Sequence, residues 1–301
     1  MTMTRAEAEA IVVTTTATTD KPKAPLSAGR VLILLDGSRL SHAALEAAAE
    51  IASARNAEVL GIFVEETNLL RAAGYGFARE VGGSSGLARP FDAAALEARM
   101  QALAVQARSS LQQTMAGRGL VQTLKLCRGR VAEEVLNLMQ PEDLIVLGRA
   151  GWSGIPGSRL GSTARDLARQ APGDVLLWAA PRTQRQDRVV VLLNHDQGAN
   201  HRAIRLGVEE ARRSNQPLSV LIRTNPEDDQ RVAEGVRAYL QSEGIAGRVK
   251  QVPVASAHAV VRVLQEEGAT QLIVSRTSSL FADRGAEALL SELNLPITVT
   301  P

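Results

Sequence analysis

A single cysteine, Cys127, stands in 301 residues. One thiol builds neither a disulfide framework nor a multi-cysteine zinc site, and it fits a reducing, cytoplasmic compartment. Its place at the end of an apolar run reads as a packed strand residue. Aromatic residues make up 3% of the chain, too few to furnish stacking platforms for single-stranded nucleic acid. Neither sign of charge dominates: 34 basic residues face 32 acidic ones, for a net charge of +2. With no dense Lys/Arg run, a nucleic-acid partner has no electrostatic footing. No apolar stretch reaches membrane-spanning length, which argues against membrane insertion. Residues 1–28 lack the basic start and long apolar centre of a secretory leader, and their Thr, Ala, Lys and Pro content reads as a flexible tail. The four histidines, His42, His195, His201 and His258, have no metal-ligand spacing and read as surface or helix-cap positions.

Hydrophobic residues, 45% of the total, are arranged in a pattern that the chain uses twice. "RVLILLDGSRLSHAALEAAAEIASARNAEVLGIFV" from Arg30 and "RVVVLLNHDQGANHRAIRLGVEEARRSNQPLSVLIR" from Arg188 share the same order. Each has an apolar run, a polar turn, a helix-period stretch, a polar break and a second apolar run. "EDLIVLG" parallels "TQLIVS", and Pro172 and Pro296 each lie eleven residues after a glycine, Gly161 and Gly285. The repeat predicts a flexible tail over 1–28, one unit over 29–181 and a second over 187–301, with the seam in "PRTQRQD".

Strands are expected near 30–36, 57–64, 120–127, 143–148 and 174–178, and near 188–194, 217–223, 248–254, 271–275 and 297–300. Helices fall between them, near 39–55, 92–117, 130–139 and 161–170, then 199–214, 227–243, 256–267 and 283–293. Continuous apolar strands alternating with helices predict an α/β fold: two tandem, doubly wound, parallel five-stranded sheets. Ligands of such sheets lie beyond the carboxyl ends of the strands, where strand order reverses.

At that place, after the fourth strand, stands "GRAGWSGIPGSRLGSTARDLARQ" (Gly148 to Gln170). A helix N-terminus carries unpaired N–H groups and partial positive charge, and glycine lets them approach an anion closely. Gly161, Ser162 and Thr163 open the helix, Gly148 and Gly151 leave the strand, and Arg149 and Arg159 add charge. An inherited flexible turn is the plainer explanation of the glycines. For Asp36, in "DGS", the plainer explanation is a turn former. Neither a P-loop nor a GxGxxG after a first strand is present.

The spacing Gly148, two residues, Gly151, nine residues, Gly161-Ser162 resembles the G-2x-G-9x-G-[S/T] motif of the universal stress protein family. "VLILLDGS", "CRGRVAEEVLNLM" and "ARQAPGDVLLW" resemble that family's other landmarks, and the resemblance runs from residue 30 to 301 as a tandem pair with strand order 3-2-1-4-5. It implies a bound adenine nucleotide, ATP or ADP, with or without Mg²⁺. Asp36 would meet the ribose and the backbone near Phe63 the adenine. Gly148, Gly151, Gly161, Ser162 and Thr163 would hold the phosphates, and Leu147 would belong to the same nucleotide site. The second unit departs from the pattern. Asn194 replaces the acid, Arg276 and Ser279 stand near the glycine positions, Ala286 replaces Ser162, and four residues of the loop are missing. Nucleotide is therefore expected in the first unit alone.

These features imply a cytoplasmic, stress-responsive regulatory protein whose nucleotide state alters a surface read by another protein, such as a transporter, kinase or enzyme. A nucleotide-independent scaffold or oligomerisation module, or a slow ATPase, is the alternative; no nucleophile–base pair is visible. Pairing through the last strands, "DVLLW" and "LPITV", would make either a homodimer or an intrachain pseudo-dimer. The long stretch Glu65 to Pro90, which has only "TNPED" as its counterpart in the second unit, reads as a mobile loop, with nucleotide cover or partner binding as the alternative. Trp152 lies in the glycine loop as a fluorescent reporter of ligand, and Trp178 lies after the last strand.

Overall fold

The computed structural model describes residues 29–82, 85–148, 160–179, 187–193, 197–222, 229–252, 257–278, 293 and 295–301. Expectations for the 1–28 tail, the seam over 181–186, the helix at 283–292, Arg149, Gly151, Trp152, Arg159, Asn194, Ser279 and Ala286 fall outside them.

In the amino-terminal half the elements run β1 (Val31–Leu34), α1 (Arg39–Arg55), β2 (Val59–Glu66), α2 (Thr67–Ala73), β3 (Arg79–Val81), β4 (Ala88–Pro90), α3 (Ala93–Met115), β5 (Gln122–Gly129), α4 (Val131–Leu138), β6 (Leu144–Gly148), α5 (Ser162–Gln170) and β7 (Asp174–Trp178). The carboxyl-terminal half continues with β8 (Arg188–Leu193), α6 (Gln197–Ser214), β9 (Leu218–Ile222), α7 (Asp229–Ser242), β10 (Gly247–Gln251), α8 (Ala257–Glu266), β11 (Ala269–Ser275) and β12 (Ile297–Thr300).

Ten strands form one sheet in the order β10-β9-β8-β11-β12-β7-β6-β1-β2-β5. Each half is parallel and has the order third, second, first, fourth, fifth, as expected. The halves meet edge to edge where β12 pairs antiparallel with β7, Thr298 opposite Leu176. Last-strand pairing is thus made within the chain, and it removes two open edges. Central strands are buried on both faces, which is why β1, β6 and β8 read as apolar runs. The outer strands β5 and β10 are largely exposed and correspondingly polar.

Among the described residues, hydrophobic packing joins the halves on one face only. Under α4, α5 and α8 a single cluster runs across the seam, from Leu32 and Ile145 through Val175 and Leu177 to Ile297 and Val274. On the other face, α1 and α3 cover one cluster and α6 and α7 cover another. Helix α3 shows why it packs as it does: Leu96, Met100, Ala104, Ala107, Leu111 and Met115 are buried at intervals of three and four residues. Asp92 caps its start by accepting from the N–H groups of Ala94 and Ala95.

The stretch Glu65 to Pro90 corrects the reading of it as a loop. It holds α2 and an antiparallel hairpin, β3–β4, with Glu80 opposite Arg89. Leu70, Ala73 and Phe91 pack on Leu96 and Met100, so α3 supplies the apolar surface that orders α2. The hairpin itself stands in solvent beside a stacked pair of rings, Tyr75 and Phe77, whose centroids are 5.4 Å apart. Seven helical residues without strong periodicity give little sequence signal, because the ordering partner lies twenty residues downstream.

Candidate functional site

Beyond the carboxyl ends of β1, β2 and β6 lies a cavity of about 570 Å³. Its walls are built by three kinds of local structure. First, the chain leaving β1 turns sharply: Asp36 Oδ1 accepts from the Ser38 N–H at 2.8 Å, and Gly37 sits at φ +76°. Only glycine is at ease there, and a Cβ on Gly37 would come within 2.5 Å of Leu103 Cδ2. Asp36 therefore does form the turn that "DGS" suggests, through one oxygen. Among the described residues its other oxygen accepts no hydrogen bond, and Asp36 lines the cavity.

Second, the starts of α1, α4 and α5 surround the cavity, and side chains close the first two. Ser38 Oγ accepts from Ser41 N–H at 3.1 Å at the start of α1. At α4, Glu66 Oε2 accepts from Val131 N–H at 3.3 Å, with Glu133 and Glu134 in the first turn. Helix α5 differs. Its N-cap is Gly161, which has no side chain to cap it, and the ladder begins with Arg165 N–H donating to Gly161 C=O at 3.0 Å. The N–H groups of Ser162, Thr163 and Ala164 have no intrahelical acceptor, and these residues line the cavity. Among the described residues nothing caps this positive end of the helix dipole, the end that attracts an anion.

Third, α2 and α3 add a wall that sequence reading missed. Leu69, Leu96, Met100 and Leu103 face the cavity together with Arg99 and Glu66. Only Glu66 left a trace in sequence, as a carboxylate at the end of an apolar strand. The others become neighbours of Asp36 through packing of α3 against α1 and β2.

Of the sequence-predicted residues, Asp36, Phe63, Leu147, Gly148, Gly161, Ser162 and Thr163 all border this one cavity. Gly151 lies outside the described residues. Trp178 is opposite Gly148 in the β6–β7 register. Cys127 is half-buried; burial and then the neighbouring Glu134 charge push its thiol above the ordinary cysteine range, which disfavours a reactive thiolate. His42 is half-buried and His201 exposed. Among the described residues no cluster of His, Cys, Asp and Glu could hold a metal ion by itself. Nor is any described helix long and apolar enough to cross a membrane.

The equivalent point of the carboxyl-terminal half is differently made. After β11 the chain turns at once, with Ser278 N–H donating to Ser275 C=O at 3.0 Å. Arg276 N–H donates to Thr300 C=O, and the Arg276 guanidinium reaches into the other half, donating to the carbonyls of Arg169 and Ala171. Burial, followed by the charge of Arg202, holds its pKa below the usual arginine value.

The profile of the universal stress protein family matches residues 28–178. A universal stress protein of Mycobacterium tuberculosis is 26% identical over 168 residues, covering 55% of this chain and 53% of that protein. The chain thus matches about half the length of such curated relatives. The fold is similar to that of a universal stress protein from Archaeoglobus fulgidus, with a TM-score of 0.68 at 15% identity over 91% of this chain and 96% of the other. A further A. fulgidus universal stress protein, 19% identical over 39% of this chain and all of its own, with a TM-score of 0.33, was solved in complex with dAMP. With the profile covering half of its length, the chain belongs to the universal stress protein family.

Proposed function

We propose that this protein binds an adenine nucleotide, ATP or ADP, in the cavity of its amino-terminal half and acts as a regulator rather than as an enzyme. The observation that carries this reading is the uncapped start of α5 facing the same cavity as Asp36. The α5 N–H groups and the Ser162 and Thr163 hydroxyls suit a chain of phosphates. Asp36, with its turn already made through one oxygen, has the other left to accept from the hydroxyls of a ribose. Apolar side chains from Phe63 and α3 suit a base. Mg²⁺ would arrive with the phosphates, since this ion is usually bound by one or two carboxylates and the ligand's own oxygens.

Two repeats, 29–181 and 187–301, make up the working unit, and nucleotide is held in the first alone. In the second, Arg276 stands where the first has glycine, and its guanidinium is committed to the first repeat's backbone. The pairing of β7 with β12 supports an intrachain pseudo-dimer. A regulated protein partner would read the α2–hairpin surface, which is rooted in the cavity wall through Leu69. Differential scanning fluorimetry with ATP–Mg²⁺ and ADP tests the reading. A rise in the thermal midpoint that saturates with ligand supports it, and an unchanged midpoint up to millimolar ligand refutes it.

A further inference from the structure

Strand order dictates ligand order. Hydrogen-bonded neighbours lie about 4.8 Å apart, so β6, β1 and β2 span roughly 10 Å. The open start of α5 stands beyond β6, Asp36 follows β1, and Glu66 is the last residue of β2. If phosphates lie on α5 and the ribose meets Asp36, the base arrives at the end of β2.

There the cavity presents Glu66. Its Oε1 accepts from Asn68 N–H and its Oε2 from Val131 N–H, both at 3.3 Å, so the carboxylate is pinned between the starts of α2 and α4. An ionised carboxylate offers about four acceptor positions and no donor. Two are used by these long bonds, which leaves room for donors from the cavity side. Val64 and Leu69 give the cavity apolar walls beside the carboxylate, Arg99 borders the same cavity, and the Arg130 cation lies close enough to feel the Glu66 charge.

We propose that Glu66 reads the base: it selects a base that presents an amino group on its edge over the same base without one. This rests on the nucleotide reading above and goes further, because it assigns the choice of base to a side chain. The ligand class is an amino-bearing purine nucleotide. Adenine and guanine both qualify, and each can be tested against its own deaminated or amino-less analogue.

The experiment is isothermal titration of the full chain and of Glu66→Gln with two ligand pairs. These are ATP against purine riboside 5′-triphosphate, which lacks the 6-amino group, and GTP against ITP, which lacks the 2-amino group. A hydrogen bond to a charged acceptor predicts that the wild type prefers the amino-bearing member of at least one pair about tenfold or more. In Glu66→Gln, whose amide can turn either its oxygen or its donor toward the base, the preference falls to about threefold or less. Matching circular dichroism and thermal midpoints establish that the variant is folded. Equal wild-type affinities within both pairs, or a preference that survives in Glu66→Gln, overturn the proposal while leaving a nucleotide site intact. Failure of the wild type to bind any of the four overturns the nucleotide reading and this proposal together.

Discussion

The guanidinium of Arg276, at the end of the fourth strand of the carboxyl-terminal half, donates to the carbonyl of Ala171, the residue at which α5 ends. It also donates to Arg169 C=O at 3.3 Å. The carboxyl-terminal half therefore caps the far end of α5, the helix whose start borders the cavity. A cation here satisfies orphan carbonyls and opposes the negative end of the helix dipole.

Replacing Arg276 with Ala leaves those carbonyls without their charged donor. The expected loss is about 1–3 kcal/mol of stability, read as a lower urea midpoint, with Arg276→Lys falling between the variant and wild type. An unchanged midpoint in the alanine variant would show that this contact does not hold the halves together.

Asp36 forms a turn and, in the proposed function, meets the ligand, and one substitution separates the two. Asparagine keeps an oxygen that accepts from Ser38 N–H, so Asp36→Asn preserves the turn and stability within about 0.5 kcal/mol. It removes the charge offered to the ligand, and ATP affinity is expected to fall by about 1–2 kcal/mol, roughly five- to thirtyfold, in calorimetry.

Asp143 is 1% exposed and takes four hydrogen bonds, from Arg30 N, Nε and Nη2 and from Gln140 N. It ties the start of β1 to the turn before β6. Asp143→Ala strands the Arg30 charge, and a loss of about 3–5 kcal/mol is expected in denaturant unfolding.

Glu267 contributes stability that depends on pH. Burial pushes its pKa up, but bonds from Ser219 Oγ at 2.9 Å and Lys250 Nζ at 3.2 Å, with the Lys250 charge, outweigh it and leave the folded value below the ordinary one. A depressed carboxylate stabilises the fold above its unfolded pKa of about 4.3 and ceases to do so as pH falls through the folded value. Urea midpoints measured from pH 6 down to pH 3 should fall more steeply in wild type than in Glu267→Gln.

Periodicity and repetition made the sheet legible. The runs that became β1, β6 and β8 are apolar because helices cover both faces, and that burial leaves the strongest trace in a sequence. Glycine spacing and "DGS" likewise marked Asp36, Gly148 and Gly161 before any geometry was known. What was not legible depends on distant contacts. Helix α2 is ordered by Leu96 and Met100 of α3, and Leu103 reaches the site by packing where Gly37 lacks a side chain. Glu66 gained meaning only when strand order put it in line with Asp36 and α5. Arg276 looked like a decayed glycine position until its guanidinium was found on the backbone of the other half.

The central claim is that α5 opens a polyphosphate seat in the amino-terminal half alone, and titration calorimetry of ATP into wild type and Gly161→Asp tests it most directly. Gly161 has φ −58°, which any residue adopts, and Asp is a favoured N-cap, so the variant folds while its own carboxylate takes the N–H groups meant for phosphate. The account predicts one ATP per wild-type chain and no measurable binding to Gly161→Asp at an unchanged thermal midpoint. Equal affinity and stoichiometry in the two proteins, or two sites per wild-type chain, would contradict it.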